Sequence, residues 1–558
     1  MVPDGRCTIC ESAEYGHDVC LWRRCLHARK PPTRRAVPHA LITQRVSEIM
    51  IQEVPANRHS ATEKLVLWYI PLAFAVFFIW GSVLQMRSFA INDADFGYFI
   101  TQIWRVWNGW DWQAPFSNVY EGKPFYAHHC TPLSALLAPI VGPWKSPYPL
   151  SILQGTAAGA MAFILPRLVR VLHAEAEGDN ASGNWVWTAA VVLVLFFFFR
   201  PVLTPWSRQA HYTTLVTPVL MLAVLMLHKR RWWALAGCCF IVLLAQERAA
   251  PSIFCLGMYA VLLLRQRRVG MLLCTVSGAW FVTVTKVWLP YMRQLAGAGS
   301  GYAFEQFVNL SGGWDHKLQY YLRLLAYSWF LPLLGRKALL CLLCTLPYLG
   351  MVALSGYGQM WDMAGQYEDL PGVFLMLAIC HACMWVQGRL RPELWKKLLP
   401  AAGVLMAIVM MATQTGWYNP AATVARLLQH PDAQAHARLR DTLGSLPDFP
   451  ASVRVWAQSG LGPHVFYPYQ RYIADINEMG GPLDDSVVII SPYAGTYHLA
   501  NGSGGVSREE FEQARAFFDA HASLECVKDN GVAVIYVGKK LRETLPDLVQ
   551  ALQRQAAR

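Results

Sequence analysis

Charge is what this 558-residue sequence has least of. Only 15% of its residues are Asp, Glu, Lys or Arg, against 54% hydrophobic residues. Soluble proteins hold about 25% charged residues, so the shortage excludes an ordinary water-soluble globular protein and makes lipid the solvent of most of the chain. The net charge of +12 is no nucleic-acid signal, because the basic residues stand in short tracts between apolar blocks. A disulfide framework is also missing. Of 14 Cys, only Cys130 and Cys526 fall in segments expected outside the membrane, on the far side from the N-terminal tail. From about Asn419 to Arg558, no Gly-rich phosphate loop, Walker sequence or nucleophile–base pair stands at a recognisable spacing. No cleavable signal peptide opens the chain: the first apolar run, at Leu65, follows a long polar tail and reads as an uncleaved anchor.

What is present in quantity is apolar sequence in blocks long enough for membrane helices. These are Leu65–Leu84, Leu150–Leu172, Trp185–Leu203, Ala210–His228, Trp232–Ala245, Pro251–Leu264, Met271–Tyr291, Tyr321–Gly335, Ala338–Leu354, Leu370–Trp385 and Leu398–Gly416. Backbone in lipid must satisfy its own hydrogen bonds, so such blocks are helices. About eleven spans are expected. Pro132–Pro149 is cut by Pro139, Pro143 and Pro147 and reads as re-entrant or interfacial. Basic tracts mark cytoplasmic loops: the N-terminal tail with Arg23, Arg24 and Arg29, then Lys229–Arg231, Arg265–Arg268, Arg336-Lys337 and Arg389–Lys397. Every second loop is basic, which places Gln246–Ala249, Met292–Gln319, Ser355–Asp369 and everything after Gly416 outside.

The expected fold is therefore mainly α: a polytopic transmembrane helical bundle with a small C-terminal extracytoplasmic α/β domain. Residues 1–64 form a cytoplasmic tail, 65–418 the transmembrane domain with its first external loop at 85–130, and 419–558 the outer domain. In the last part Val453–Ala457, Val487–Ser491 and Val532–Val537 read as strands and Arg508–His521 as an amphipathic helix. Cys341/Cys344 and Cys380/Cys383 have CxxC spacing but lie in apolar blocks, where Cys behaves as a small hydrophobe. Cys7, Cys10, Cys20 and Cys25, with His17 and His27, allow either a small zinc knot or a plain disordered tail, with Met50 as an alternative start.

The first external loop is the richest segment. Asn92-Asp93-Ala94-Asp95-Phe96-Gly97 opens it, and Phe96, Phe99, Ile100, Ile103 and Trp107 follow at helical spacing. That pattern describes an amphipathic helix lying along the membrane surface. Asp95 can simply cap this helix. Alternatively Asp93 and Asp95 face a pocket, where a carboxylate takes a proton or the pair shares a divalent cation. Glu247, hemmed between two apolar blocks, is a functional candidate by position. Arg248 beside it suits phosphate recognition, with Arg208 and Arg293 at the same level.

Asp95-Phe96-Gly97, Trp104, His129-Cys130-Thr131-Pro132 and Leu136-Leu137-Ala138-Pro139 resemble the motifs of a bacterial family of membrane proteins of unassigned function. His211 after Trp206, Glu247 before Leu256-Gly257-Met258-Tyr259, and Gly460-Leu461-Gly462-Pro463-His464 extend the resemblance over about residues 65 to 540. The family is similar in layout to the GT-C superfamily of membrane glycosyltransferases. That likeness implies a GT-C-like bundle in a bacterial inner membrane, with a polyprenyl-phosphate-linked sugar as donor and an envelope glycan, lipid or protein as acceptor. It implies an acting acidic residue in the first loop, matched here by Asp95; read from position and chemistry, Asp95 or Asp93 can serve as the base and His129, His211, Glu247, Arg248 and Trp104 are candidate substrate-binding residues. Two departures stand out: Gln246-Glu247-Arg248 replaces Lys-Glu-Asp, and Gln366-Tyr367 replaces His-Tyr. The first puts a base beside Glu247 and weakens the case for a shared metal there. A transporter or flippase, or a non-catalytic envelope protein, are the rival classes. The first should show inverted repeats, and none is evident.

Overall fold

Helix forms in each of the eleven apolar blocks, over all or part of its length, in the computed structural model, which describes residues 60–90, 94–108, 129–144, 146–177, 185–208, 211–295, 313–356, 360–361, 367–413, 425, 432–450, 453–458, 460–465, 471–473, 483–494 and 508–554. The cysteines of the N-terminal tail lie outside these residues, as do Met50 and Asp93. The helices are α1 (Ala61–Arg87), α2 (Ala94–Asn108), α3 (Leu133–Val141), α4 (Tyr148–Glu177), α5 (Trp185–Phe197), α6 (Arg200–Arg208), α7 (Tyr212–His228) and α8 (Trp232–Leu243). They continue with α9 (Ala250–Leu262), α10 (Arg267–Leu295), α11 (Trp314–Tyr327), α12 (Arg336–Cys344), α13 (Leu346–Leu354), α14 (Asp369–Gln387) and α15 (Pro392–Thr413). The first begins four residues before its apolar block, because Ser60 and Glu63 close a capping box on its free amides.

Eleven full-length crossings are not what helix length supports. Among the described residues, four helices are long and apolar enough to cross a membrane: α1, α4, α10 and α14. The number rises to six if the bent pairs α5–α6 (46°) and α12–α13 (47°) each count as one crossing. The shortfall has local causes. The α5 helix ends at Phe197 and restarts at Arg200, and α13 restarts with Pro347 in its first turn. The eighth block does not form a helix of its own length: α11 starts earlier, at Trp314, and stops at Tyr327, where Trp329 and Phe330 take left-handed backbone (φ 56° and 54°). The interrupted Pro132–Pro149 segment gives only the twelve-residue apolar helix Leu133–Trp144, about 18 Å long and too short for a 30 Å core.

Close helix contact is built on small residues. Gly155 and Gly159, four apart on α4, face α1: a Cβ there would come within 2.5 Å of the Ile79 Cα and 2.7 Å of the Ala75 Cα. This is small-xxx-small packing, which in lipid replaces the hydrophobic drive that water would supply. The amphipathic α2 buries Phe96, Phe99, Ile100, Ile103 and Val106. Trp107 was expected on that face, but Val106 takes the buried place in the last turn and Trp107 is 47% exposed.

The C-terminal part holds a five-stranded mixed sheet of β1 (Arg454–Gln458), β2 (Arg471–Ile473), β3 (Ser486–Ile490), β4 (Leu524–Asp529) and β5 (Val534–Gly538), ordered β2-β1-β3-β5-β4. The β1 strand pairs parallel with β2 and β3, and β5 antiparallel with β3 and β4. Both faces of β3 and β5 are buried. One face is covered by α17 (Arg508–Asp519) through Phe511 and Phe518. The other carries α16 (Ala433–Gly444), α18 (Lys539–Thr544) and α19 (Pro546–Arg554). The same second cluster includes Phe89, just beyond α1. Phe89 holds left-handed backbone (φ 51°) and its ring lies 4.4 Å from that of His464. Arg440 donates to the Arg87 carbonyl at 2.6 Å. The sheet domain is thus docked on the end of α1, and burial pushes the His464 imidazole down to about 3.

Candidate functional site

Three helices begin at one place. His211 caps α7 with its Nδ1 accepting from the Thr213 amide. Asp369 opens α14 and accepts from the Leu370 amide at 2.6 Å. Between α8 and α9 the chain makes a single 3-10 turn, Glu247–Ala249, before α9 starts. Helix N-termini carry partial positive charge, so this convergence favours an anion. The turn is buried with its charges intact: Glu247 is 7% and Arg248 8% exposed.

The two neighbours point to different partners. Glu247 meets His129 Nδ1 at 2.7 Å and accepts the Cys130 amide at 2.9 Å. Burial alone would raise its carboxyl; the charge and hydrogen bond of His129 and the Cys130 amide outweigh that and hold it below the usual carboxylate range. The Leu133 amide donates to the Leu244 carbonyl at 2.9 Å, pinning the 129–133 strip to the end of α8. The His129 side chain stays 41% exposed.

Arg248 faces the other way. Its Nε donates to Gln246 Oε1 at 2.8 Å, and Nη2 donates to His211 Nδ1 at 3.0 Å and to the Thr213 hydroxyl. Thr213 passes the contact on to Asp369 Oδ2 at 2.6 Å, where Thr214 also donates at 3.2 Å. His211 accepts through Nδ1, so its proton sits on Nε2. The guanidinium lies 4.8 Å from the centroid of the Tyr367 ring. Nη1 has no hydrogen-bond partner among the described residues. Beside this network sits Glu368, buried and pushed up to about 8, first by burial and then by the Asp369 charge, with Arg248 and Arg200 pulling the other way.

The α2 helix closes the cluster from one side. Phe99 stands edge-on to the His211 ring at 4.7 Å. Tyr212 donates to Gln102 Oε1 at 2.9 Å, and Gln102 donates to the Thr131 hydroxyl at 3.1 Å. Asp95 sits in the first turn of α2, one turn before Phe99. Its side chain is outside the described set, as is that of Arg208.

A family profile described as "Predicted membrane protein (DUF2079)" matches residues 85–475 of this chain. The chain belongs to the DUF2079 family of predicted membrane proteins. The match is narrower at both ends than the motifs suggest, but it contains every residue of the cluster. A search of curated proteins finds no match. Four of the residues singled out in the sequence come together here: His129, His211 and Glu247 from the DUF2079-like motifs, and Arg248, where the sequence departs from them. Trp104 is half-buried on α2 and is not among the described contacts of Glu247 or Arg248. Arg293 is half-buried near the end of α10. Among the described residues no group of three or more His, Cys, Asp or Glu is placed to hold a metal ion.

Sequence reasoning missed Thr213, Glu368 and Asp369. The acids stand directly before the apolar block Leu370–Trp385, the same position that marked Glu247, and that rule applied evenly finds them. The Tyr367 of the family's His-Tyr motif is found on Arg248; Gln366 lies outside the described residues. The DUF2079 chain has a second polar chain at the other ends of the same helices. His228 is the last of the 17 residues of α7, about 24 Å from its start. Its Nδ1 meets Glu175 at 2.9 Å, its Nε2 meets the Tyr259 hydroxyl at 2.8 Å, and that hydroxyl meets His381 Nε2 at 3.4 Å.

Proposed function

We propose that this membrane protein is an extracytoplasmic-facing, GT-C-like glycosyltransferase that moves a sugar from a polyprenyl-phosphate donor to an envelope acceptor. The observation that carries the reading is Arg248: a buried guanidinium at three converging helix N-termini, fixed through Nη2 and Nε, with Nη1 left to meet a ligand. Such a site suits the donor phosphate. Asp95, at the start of the surface helix, takes the proton of the acceptor hydroxyl. The acceptor oxygen attacks the anomeric carbon, the bond from that carbon to the phosphate oxygen breaks, and the phosphate leaves with the electron pair. Arg248 and the half-exposed His129 offset its charge, His129 being oriented by Glu247.

Mass spectrometry of envelope glycans and lipid-linked sugars tests the proposal in cells. Removing the gene, or replacing His129 with Gln, should abolish one glycan modification and let one polyprenyl-phosphate sugar accumulate. Unchanged glycans and lipid-linked sugars in both strains would rule it out. One observation favours a second reading. The Glu175–His228–Tyr259–His381 chain puts ionisable groups at the opposite ends of the helices, as a transporter's pathway would. Engineered cysteines near His129 and Glu175 that label alternately, rather than independently, would select that reading.

A further inference from the structure

Four buried side chains, Arg248 among them, leave polar atoms unused. Arg248 Nη1, both carboxyl oxygens of Glu368, the Tyr320 hydroxyl and the Tyr348 hydroxyl have no hydrogen-bond partner among the described residues. All four residues are more than nine-tenths buried, the two tyrosines and Glu368 almost completely. They come from four separate elements: the turn before α9, the residue before α14, α11 and α13. Geometry brings them together: Arg248 reaches Asp369, next to Glu368, through the Thr213 hydroxyl, and Tyr321, next to Tyr320, donates to the Leu349 carbonyl at 2.7 Å, beside Tyr348. Glu368 is within electrostatic reach of Arg248, Tyr320 of Glu368 and Tyr348, and Tyr348 of Arg248, Glu368 and Asp369.

An unmade hydrogen bond on a buried group costs about 1–3 kcal/mol, and native proteins leave few. Four such residues in one patch mark a place where the partner is brought by a ligand. The chemistry of the patch specifies that ligand. Arg248 asks for an anion. Tyr320 and Tyr348 each donate one hydrogen bond and accept others, which suits hydroxyl groups. A protonated Glu368 both donates and accepts.

We propose that Arg248, Glu368, Tyr320 and Tyr348 seat an anionic, hydroxyl-bearing head group, a glycosyl phosphate, with its phosphate on Arg248 and its sugar hydroxyls on the tyrosines and Glu368. The proposal rests on the transferase reading for the identity of the sugar phosphate. It adds the residues that recognise the sugar.

The test uses the full chain in nanodiscs, with farnesyl phosphate and farnesyl phosphoryl mannose as probes. Binding is measured by titration, and thermal unfolding is followed without ligand. Wild type should bind the mannose-bearing probe more tightly than farnesyl phosphate. Tyr320→Phe and Tyr348→Phe should each weaken the mannose-bearing probe about tenfold and leave farnesyl phosphate unchanged. Arg248→Lys should weaken both. Without ligand, both Phe variants should unfold at or above the wild-type temperature, since each removes a hydroxyl that had no partner. Phe variants that bind both probes like wild type would mean the patch holds ordered water alone and would overturn the seat. Phe variants that unfold earlier without ligand would show the hydroxyls to be structural and overturn it too, as would a wild type that binds neither probe. Selective binding by wild type, lost in the Phe variants, with no change in cellular glycans would uphold the seat and remove the transferase.

Discussion

Glu247 and Arg248 are consecutive in the chain and divide the work of the cluster, one holding His129 and the other reaching Thr213. Thr213 is the joint, since its hydroxyl accepts from Arg248 and donates to Asp369. Thr213→Val should cost about 1–3 kcal/mol of stability by leaving both partners short, measured by thermal or denaturant unfolding in detergent. Glu368 gives a pH signature. Its carboxyl is raised in the folded state, so the native protein holds a proton that the unfolded chain releases. Stability should be full below about pH 4.5 and fall as pH rises through about 8. The groups that face it are Asp369, Arg248, Arg200, Tyr320 and Tyr348. Glu368→Gln should flatten that fall in a Tm-versus-pH series; an equal slope in the variant would contradict the assignment. At Asp95 the contrast is between cap and base. Asn caps about as well as Asp, so Asp95→Asn should keep stability and lose activity by roughly 10² or more if the residue is the base. His129, His211, Glu247 and Arg248 were legible because each interrupts or borders an apolar block. Tyr320 and Tyr348 were not, because a tyrosine at the edge of an apolar run or within it looks like core until its hydroxyl is found without a partner.

Helices were the most legible element, since apolar blocks in lipid have one backbone solution. Their ends were less so. The halt of α11 at Tyr327 depends on left-handed backbone at Trp329 and Phe330, which no residue type there announces. The strands at Val453, Val487 and Val532 were found within two residues by their β-branched runs. The β4 strand was missed because Leu524–Asp529 alternates around charged residues. Two element-scale predictions follow from contacts. Gly159→Leu should separate α1 from α4, because its side chain must enter the space of the Ala75 backbone. Loss of folded protein in detergent is the expected readout, with Gly237→Leu, where a Cβ meets nothing, as the tolerated control. Tyr259→Phe cuts the chain between His228 and His381 and should cost about 1–3 kcal/mol, read as a lower unfolding temperature.

Across the whole molecule, the sheet domain is docked on the end of α1 through Phe89 and Arg87. His464, half-buried with its ring against Phe89, stays neutral in the folded protein. The undocked or unfolded chain takes up a proton below about pH 6.5. Docking should therefore be complete above that pH and weaken progressively as pH falls towards about 3. Proteolytic release of the sheet domain should rise over that window, and a flat release rate would show that His464 does not control docking. The motif Gly460–His464 was legible as a family match, but its place against α1 was not, because docking is a long-range contact that no local pattern encodes. The alternation of basic loops predicts that a reporter fused after Gly416 is active only outside the cytoplasm. The central claim is transfer of sugar from a lipid phosphate. Its most direct measurement is sugar release from a radiolabelled polyprenyl-phosphate sugar pool by the purified protein in liposomes containing envelope extract as acceptor. The account predicts labelled product with wild type, and a fall of at least about a hundredfold with Asp95→Asn at unchanged thermal stability. Wild-type protein that is folded, binds the donor and yields no labelled product with any envelope fraction would contradict it.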